Sequence, residues 1–213
     1  MTAAVGFEPT MAEPNGTEAH LLNPSDILPI YESIILFTIK LNNIKKLISY
    51  YNIMGGGILP VTVYRNKVYF LFSREYIGSK DDGGLWSDFG GSREKKETYF
   101  DTAVREGYEE SSGFLGDKSD IKKLIKNNFV KTVTLPKMYR TYIVYIPYDK
   151  TLPKRFRDDF LKVKKNHPEK IAKKGLYEKD MLKWVSMDKL KNFKKEVRPW
   201  YKKIVNLIIK YGI

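Results

Sequence analysis

The chain has 213 residues, 42% of them hydrophobic, enough for one domain with elaborations and a real core. It holds no cysteine, which excludes disulfides and cysteine-based zinc sites and fits a reducing compartment. The formal net charge of +13 points to a polyanionic partner such as RNA, DNA, an acidic membrane face or a polyphosphate, although the excess of Lys over Arg and the plentiful Asn, Ile and Tyr are equally what an A/T-rich coding sequence yields.

Residues 1–24 lack periodicity and are rich in Pro, Gly, Thr and Glu, which predicts a mobile tail. This start has no basic region followed by an apolar one, so no secretory signal is expected and the Asn15-Gly16-Thr17 sequon carries no meaning. Residues 25–54 form an N-terminal extension. Its SIILFTIKL run suits a strand or a helix, and its role is a packing extension or a substrate-selecting or dimer-forming arm. Glu32 and Lys40 bracket only a short apolar run, so no membrane span and no membrane partner are expected, and the location implied is cytoplasmic. Nothing in the sequence sets an oligomeric state.

Residues 55–213 read as one domain. Gly55-Gly56-Gly57 marks a break. ILPVTVY and KVYFLFS follow as two strands of a hairpin turning at Arg65–Lys67. Residues 75–85 are a polar, Gly-rich loop, and WSDFGG is a short strand. Trp86 and Phe89 flank its Gly pair as core anchors or as base-stacking platforms. Thr98 is the expected N-cap of a helix over Tyr99–Ser111, with Asp101 completing a capping box. Phe100, Ala103, Val104 and Gly107 make its buried stripe, and Gly113 and Gly116 end it. Gly107 costs about 1 kcal/mol against Ala in a helix, which suggests close approach to a sheet.

Residues 119–127 predict a short basic helix or turn. NFVKTVTLP and MYRTYIVYIP are the next strands, the second central because both its faces carry bulky groups. From Lys150 to Lys174 ten Lys or Arg stand against three Asp or Glu, around a helix flanked by Pro153 and Pro168. A strand at Lys183–Ser186 and a helix come next. Arg198–Ile213 closes the chain as an amphipathic helix, with Val197, Trp200, Ile204, Leu207 and Ile208 on its apolar side.

The chemistry concentrates on the helix after Thr98. Glu106, Glu109 and Glu110 stand at i, i+3 and i+4 and share one face. Three carboxylates on one turn repel each other unless a cation sits among them, and a hard divalent ion such as Mg2+ prefers such oxygens. The two histidines, His20 and His167, fall in the tail and in a basic loop, and neither a Ser-His-Asp arrangement nor a Walker loop is present.

Gly91, five residues, Glu97, seven residues, Arg105-Glu106 and then Glu109-Glu110 together resemble the Nudix box. Two positions depart from it. Gly107 occupies the apolar place after Arg-Glu, and Ser112 occupies the place of the final Gly, with Gly113 one residue late, as a one-residue extension of the helix-ending loop would give. The bland reading of the same residues is a solvated helix face after a Gly-rich turn. The resemblance implies an α+β fold, a Nudix-like α/β/α sandwich with a mixed central sheet, plus the N-terminal extension and extra C-terminal helices.

It further implies hydrolysis of a pyrophosphate link in a nucleoside diphosphate joined to a group X, with Mg2+ or Mn2+. The metal would be held by Glu106, Glu109 and Glu110 and the Gly91 carbonyl. Arg105 would fix a carboxylate in one rotamer, and Glu97 would support the ligands from behind. The base would be a box glutamate or Glu178, which could instead be an extra metal ligand, with Asp180 and Glu169 competing for its place. Arg74, Arg93 and Trp86 would contact substrate. The leading substrate is the 5′ cap of mRNA, with m7GDP released and the stretches 150–174 and 189–203 holding the RNA backbone. Free nucleotides, dinucleoside polyphosphates or diphosphoinositol polyphosphates are the second reading. A non-catalytic nucleotide- or RNA-binding module is the third, and the intact glutamates argue against it.

Overall fold

The structure, a computed structural model, describes residues 55–173 and 175–213. The tail assigned to 1–24 and the extension assigned to 25–54 lie outside the described residues. In chain order the strands are β1 (Gly55–Tyr64), β2 (Lys67–Glu75), β3 (Trp86–Ser87), β4 (Phe89–Ser92), β5 (Phe129–Leu135), β6 (Tyr139–Tyr145) and β7 (Lys179–Ser186). The helices are α1 (Tyr99–Glu110), α2 (Lys118–Asn127), α3 (Leu152–Asn166), α4 (Leu190–Phe193) and α5 (Lys202–Tyr211). Short 3-10 turns lie at Pro168–Lys170, Met187–Lys189 and Lys194–Glu196. None of the described helices is long and apolar enough to cross a membrane.

The seven strands form one mixed sheet in the order β3-β2-β1-β6-β5, with β4 beside β1 and β7 beside β2. β1 runs parallel to β6, and the remaining pairs are antiparallel. The hairpin between β1 and β2 turns where expected. Arg65 and Asn66 both take left-handed backbone, at φ 49° and 59°, the geometry that matches the twist of a two-residue hairpin. β6 is an inner strand between β1 and β5, as the bulk on both of its faces foretold.

Alternate residues of these strands feed two cores. On one face Leu59, Phe70, Phe72, Ile143 and Val185 pack with Leu190, Phe193, Ile204 and Ile208 from α4 and α5. On the other, Ile58, Leu71, Phe89, Val144 and Leu182 pack with Ala103, Ile121 and Phe156 from α1, α2 and α3. Helices therefore cover both faces of the sheet, the layered α+β arrangement expected.

Three expectations need correction. Gly55-Gly56-Gly57 is no break: these residues are the buried start of β1, paired with β4 on one side and β6 on the other. They lack side chains because neighbours crowd in, and a Cβ on Gly56 would fall 2.3 Å from the Tyr99 carbonyl oxygen. The strand placed at Lys183–Ser186 begins four residues earlier, at Lys179, since its first residues are buried against β2. The terminal helix begins at Lys202 rather than Arg198. The Arg198 amide donates to the Trp86 carbonyl at 2.9 Å and Val197 bridges Trp86, so this stretch extends the sheet. Pro199 also disfavours helical backbone in the residue before it.

Candidate active site

Helix α1 is positioned from both ends and along its buried side. At its start the Asp101 amide donates to Thr98 Oγ1 (3.2 Å) and the Thr98 amide donates to Asp101 Oδ2 (3.0 Å), the reciprocal capping box. Along its length Ala103 and Gly107 face the sheet and α2. A Cβ on Gly107 would lie 2.9 Å from Ile58 Cδ1 and 3.1 Å from Ile121 Cγ2, so the departure from an apolar side chain there permits close packing. At its end Ser111 is the C-cap, and Ser112 and Gly113 are left-handed at φ 50° and 77°. The helix end is thus not displaced by one residue. Ser112 simply takes, with a side chain, the backbone conformation that favours Gly, and its hydroxyl is buried without a hydrogen-bond partner.

This packing turns the charged side of α1 towards β4. Arg105 is the hub. Its Nε donates to Glu97 Oε1 at 2.8 Å and its Nη2 to Glu97 Oε2 at 3.1 Å. Its Nη1 donates to Glu106 Oε1 (2.8 Å) and Glu109 Oε2 (3.2 Å), and its Nη2 also reaches the Ser92 carbonyl (2.9 Å). One guanidinium therefore fixes three carboxylates and the end of β4. It holds the Glu97 carboxyl down at about 2, with the Glu94 amide and the Thr102 hydroxyl adding to the effect. The Arg105 guanidinium is correspondingly pushed up by Glu97 and Glu106.

The three box glutamates have different fates. Glu106 is 9% exposed and lies against β4, where a Cβ on Gly91 would fall 2.5 Å from its Oε1. Burial pushes its carboxyl up to about 7 despite Arg105, and the charges of Glu109 and Glu178 add to the rise. Glu109 is also touched by Lys118 (3.5 Å), and the loop between α3 and β7 closes against it. A Cβ on Gly175 (φ 80°) would lie 2.6 Å from Glu109 Oε2. Glu110 turns inward. Its Oε2 accepts from the Gly90 amide at 2.6 Å, and its Oε1 lies 3.0 Å from Lys179 Nζ. Burial drives its carboxyl well above the usual range, against the opposing pull of Lys179. Among the described residues no three acidic or histidine side chains already converge as a metal cage.

Glu178 is half-buried beside these groups. Its carboxyl is raised by burial first, then by the charges of Glu75 and Glu109. The competing Asp180 is fully buried and held elsewhere: Arg74 forks it at 2.8 and 3.0 Å, and Arg157 lies 3.3 Å away. Glu169 sits beside His167, 3.4 Å away and in the open. Arg74, expected at a substrate phosphate, is thus committed to Asp180. Trp86 is 4% exposed, with Phe193, Arg74 and Lys183 against its ring. It is a core anchor, and a base cannot stack on it. Arg93 is exposed just beyond β4.

Three residues of this region carry no mark in the sequence. Lys179, fully buried, contacts Glu75 Oε1, Glu110 Oε1 and Ser87 Oγ (3.3 Å). Arg198 reaches back from the chain's last segment to Glu75 (2.7 Å) and Asp82 (3.0 Å). Asp88, fully buried between β3 and β4, accepts from the Tyr139 hydroxyl (3.0 Å) and from Thr141 Oγ1 (2.8 Å). The adjacency of Lys179 to Glu178 was the only available hint, and in so lysine-rich a chain it is a weak one.

No family model matches the chain, and no curated protein does. Among solved structures it is similar to a Nudix hydrolase from M. smegmatis, at 17% identity over 73% of this chain and 83% of that one, TM-score 0.44. An Ap4A hydrolase of C. elegans is similar at 15% identity over 74% and 95%, TM-score 0.44. A mutT/nudix family protein from Listeria innocua is similar at 12% identity over 73% and 90%, TM-score 0.41.

Proposed function

We propose that the chain is a Nudix-type pyrophosphohydrolase that cleaves a nucleoside diphosphate joined to a group X. The observation that carries this is the Arg105 hub. The residues spaced along the sequence as Glu97, Arg105-Glu106 and Glu109 meet in space on one guanidinium, which also holds the carbonyl beside Gly91. A solvated helix face would not assemble that way.

The donor set fits a hard divalent cation such as Mg2+ or Mn2+. Glu106 and Glu178 have carboxyls raised by burial and by their acidic neighbours, so positive charge is in short supply where they face Glu109. Glu106 and Glu109, with Glu178 and the Gly91 carbonyl, would hold the ion. When bound it supplies neutralisation of phosphate charge and a more acidic water.

The chain's own residues do the rest. Arg105 keeps Glu106 and Glu109 in fixed rotamers, and Glu97 keeps Arg105 in place. In the reaction the oxygen of a water bonds to one phosphorus and the bridging oxygen leaves on the other. One of the box glutamates or Glu178, whichever carboxylate is not holding the ion, accepts the proton from that water.

For the group X we favour the 5′ end of capped RNA, supported by exposed lysines along and after α3, among them Lys162, Lys165, Lys170 and Lys173. A second reading, a small substrate such as a dinucleoside polyphosphate, is favoured by the engagement of Arg74 with Asp180 and the burial of Trp86. The test is one parallel assay with Mg2+ or Mn2+ on labelled capped RNA, a cap analogue, a dinucleoside polyphosphate and free nucleotides. Release of m7GDP from capped RNA alone, weakening steeply with salt, supports the first reading. Cleavage of the small substrates supports the second, and no hydrolysis of any would leave a binding module and sink the proposal.

A further inference from the structure

The carboxylates of this site divide into two groups with unequal neutralisation. Glu106 and Glu109 share the Arg105 guanidinium, and Glu178 lies close enough for its charge to bear on Glu106. Glu110 and Glu75 lie deeper and close around Lys179. Its Nζ contacts an oxygen of each, together with Ser87 Oγ, so one nitrogen has three oxygen neighbours. The remaining oxygen of Glu110 is taken by the Gly90 amide, and Glu75 is shared with Arg198.

Lys179 is fully buried. A lone ammonium is costly out of water, and the carboxylates of Glu110 and Glu75 lie directly against this one. The arrangement is that of a cation in an oxygen cage, with a side chain in the cation's place. An ammonium on a buried strand does not exchange with solvent, and it supplies one charge where a divalent ion would supply two.

Resting on the pyrophosphohydrolase reading, we propose that Lys179 is a built-in substitute for a divalent cation at Glu110 and Glu75. The site then loads metal at Glu106, Glu109 and Glu178 but not around Glu110, and Lys179 is a positioning residue that fixes the number of ions the chain takes. The alternative is an ordinary buried ion pair, whose loss would cost stability without creating any affinity for metal.

The experiment counts bound Mn2+ without substrate, by electron paramagnetic resonance of the free ion, in the wild type, Lys179→Met and Lys179→Arg. Lys179→Met removes the charge at similar volume and should bind about one more Mn2+ per chain than the wild type, because Glu110 loses its cation and Glu75 keeps only Arg198. Lys179→Arg keeps the charge and should leave the count unchanged. Mn2+ should also raise the melting temperature of Lys179→Met by more than it raises that of the wild type, through preferential binding to the folded state.

If Lys179→Met fails to fold without metal, refolding in Mn2+ should recover its circular dichroism. Equal counts and equal thermal shifts would overturn the inference, as would a variant that Mn2+ does not rescue. The two proposals fail separately. A wild type that hydrolyses nothing sinks the activity, while the difference in Mn2+ count between wild type and Lys179→Met still decides the role of Lys179.

Discussion

The acids around Arg105 and the buried Asp88 lie on either side of the Gly90-Gly91 strand, and they are stabilised by opposite means. Around Arg105 the carboxylates are answered by charge: a forked guanidinium at 2.8 to 3.2 Å, and Glu97 falls to about 2. Asp88, a few residues upstream, is answered within hydrogen-bond reach by the hydroxyls of Tyr139 and Thr141, with Tyr201 behind them at 3.3 Å from Thr141. Burial wins there, and its carboxyl is pushed up to about 6 even though Lys179 and the hydroxyls pull the other way. Charged forks set geometry where ionised groups must stay apart and in register. Neutral donors knit strands together and leave the acid close to protonation. Six substitutions break or sharpen that contrast.

The largest effect is expected on turnover. Glu109→Gln should lower metal-dependent hydrolysis about a thousand-fold, about 4 kcal/mol of barrier, with circular dichroism unchanged. Unchanged activity in that variant would overturn the site. Glu110→Gln should lose activity as well, and also stability in a denaturant titration, because Lys179 loses a buried partner. Next, Arg105→Ala strands Glu97, Glu106 and Glu109 without their shared cation and should cost about 3 to 4 kcal/mol in chemical denaturation. Arg105→Lys restores the charge without the fork and should recover only part of it.

The third test works through pH. A folded-state value of about 6 against 3.8 in the unfolded chain means that the folded protein binds the Asp88 proton more tightly. Asp88 therefore lowers stability progressively as pH rises from about 4 to about 6, by about 2 to 3 kcal/mol in all. Glu97 acts in the opposite sense, since its stabilisation is present above its unfolded value of 4.5 and is lost as pH falls towards about 2. Raising pH from 4 to 7 should favour Asp88→Asn over the wild type by that same increment, read from denaturant midpoints. A pH-independent difference would mean that Asp88 is not a protonation site. The smallest effect is a gain. Ser112→Gly relieves left-handed backbone and an unpartnered hydroxyl and should stabilise by about 1 kcal/mol, seen as a raised melting temperature.

The acidic helix α1 was legible because its signals are local. The cap at Thr98 and Asp101, the buried face and the acidic row all recur within a turn or two, so spacing alone places them. The strands and their hairpin were legible for the same reason. What escaped depends on partners far along the chain. Arg74 looked available to substrate because Asp180, its fork, stands 106 residues away. Lys179 looked like any other lysine, and Arg198 meets Glu75 across 123 residues. The glycines at 55–57 read as punctuation, since nothing local shows that Tyr99 and Tyr139 press on them. Asp88 sits between a serine and a phenylalanine in a strand too short to show its register.

The parallel pairing of β1 with β6 has a bearing on how the protein is made. β1 can zip onto β2 as soon as both leave the ribosome, because a two-residue turn joins them. Its other edge must wait for a partner about 80 residues later in the chain. Until Tyr139 and its neighbours emerge, the triple-glycine start of β1 has an unsatisfied flank and nothing against the face that Tyr139 will fill. Hydrogen exchange during refolding should accordingly protect Thr62, which faces Tyr69 of β2, before Gly57, which faces β6. The ground on which the acidic helix rests is laid first in the sequence and finished among the last in time.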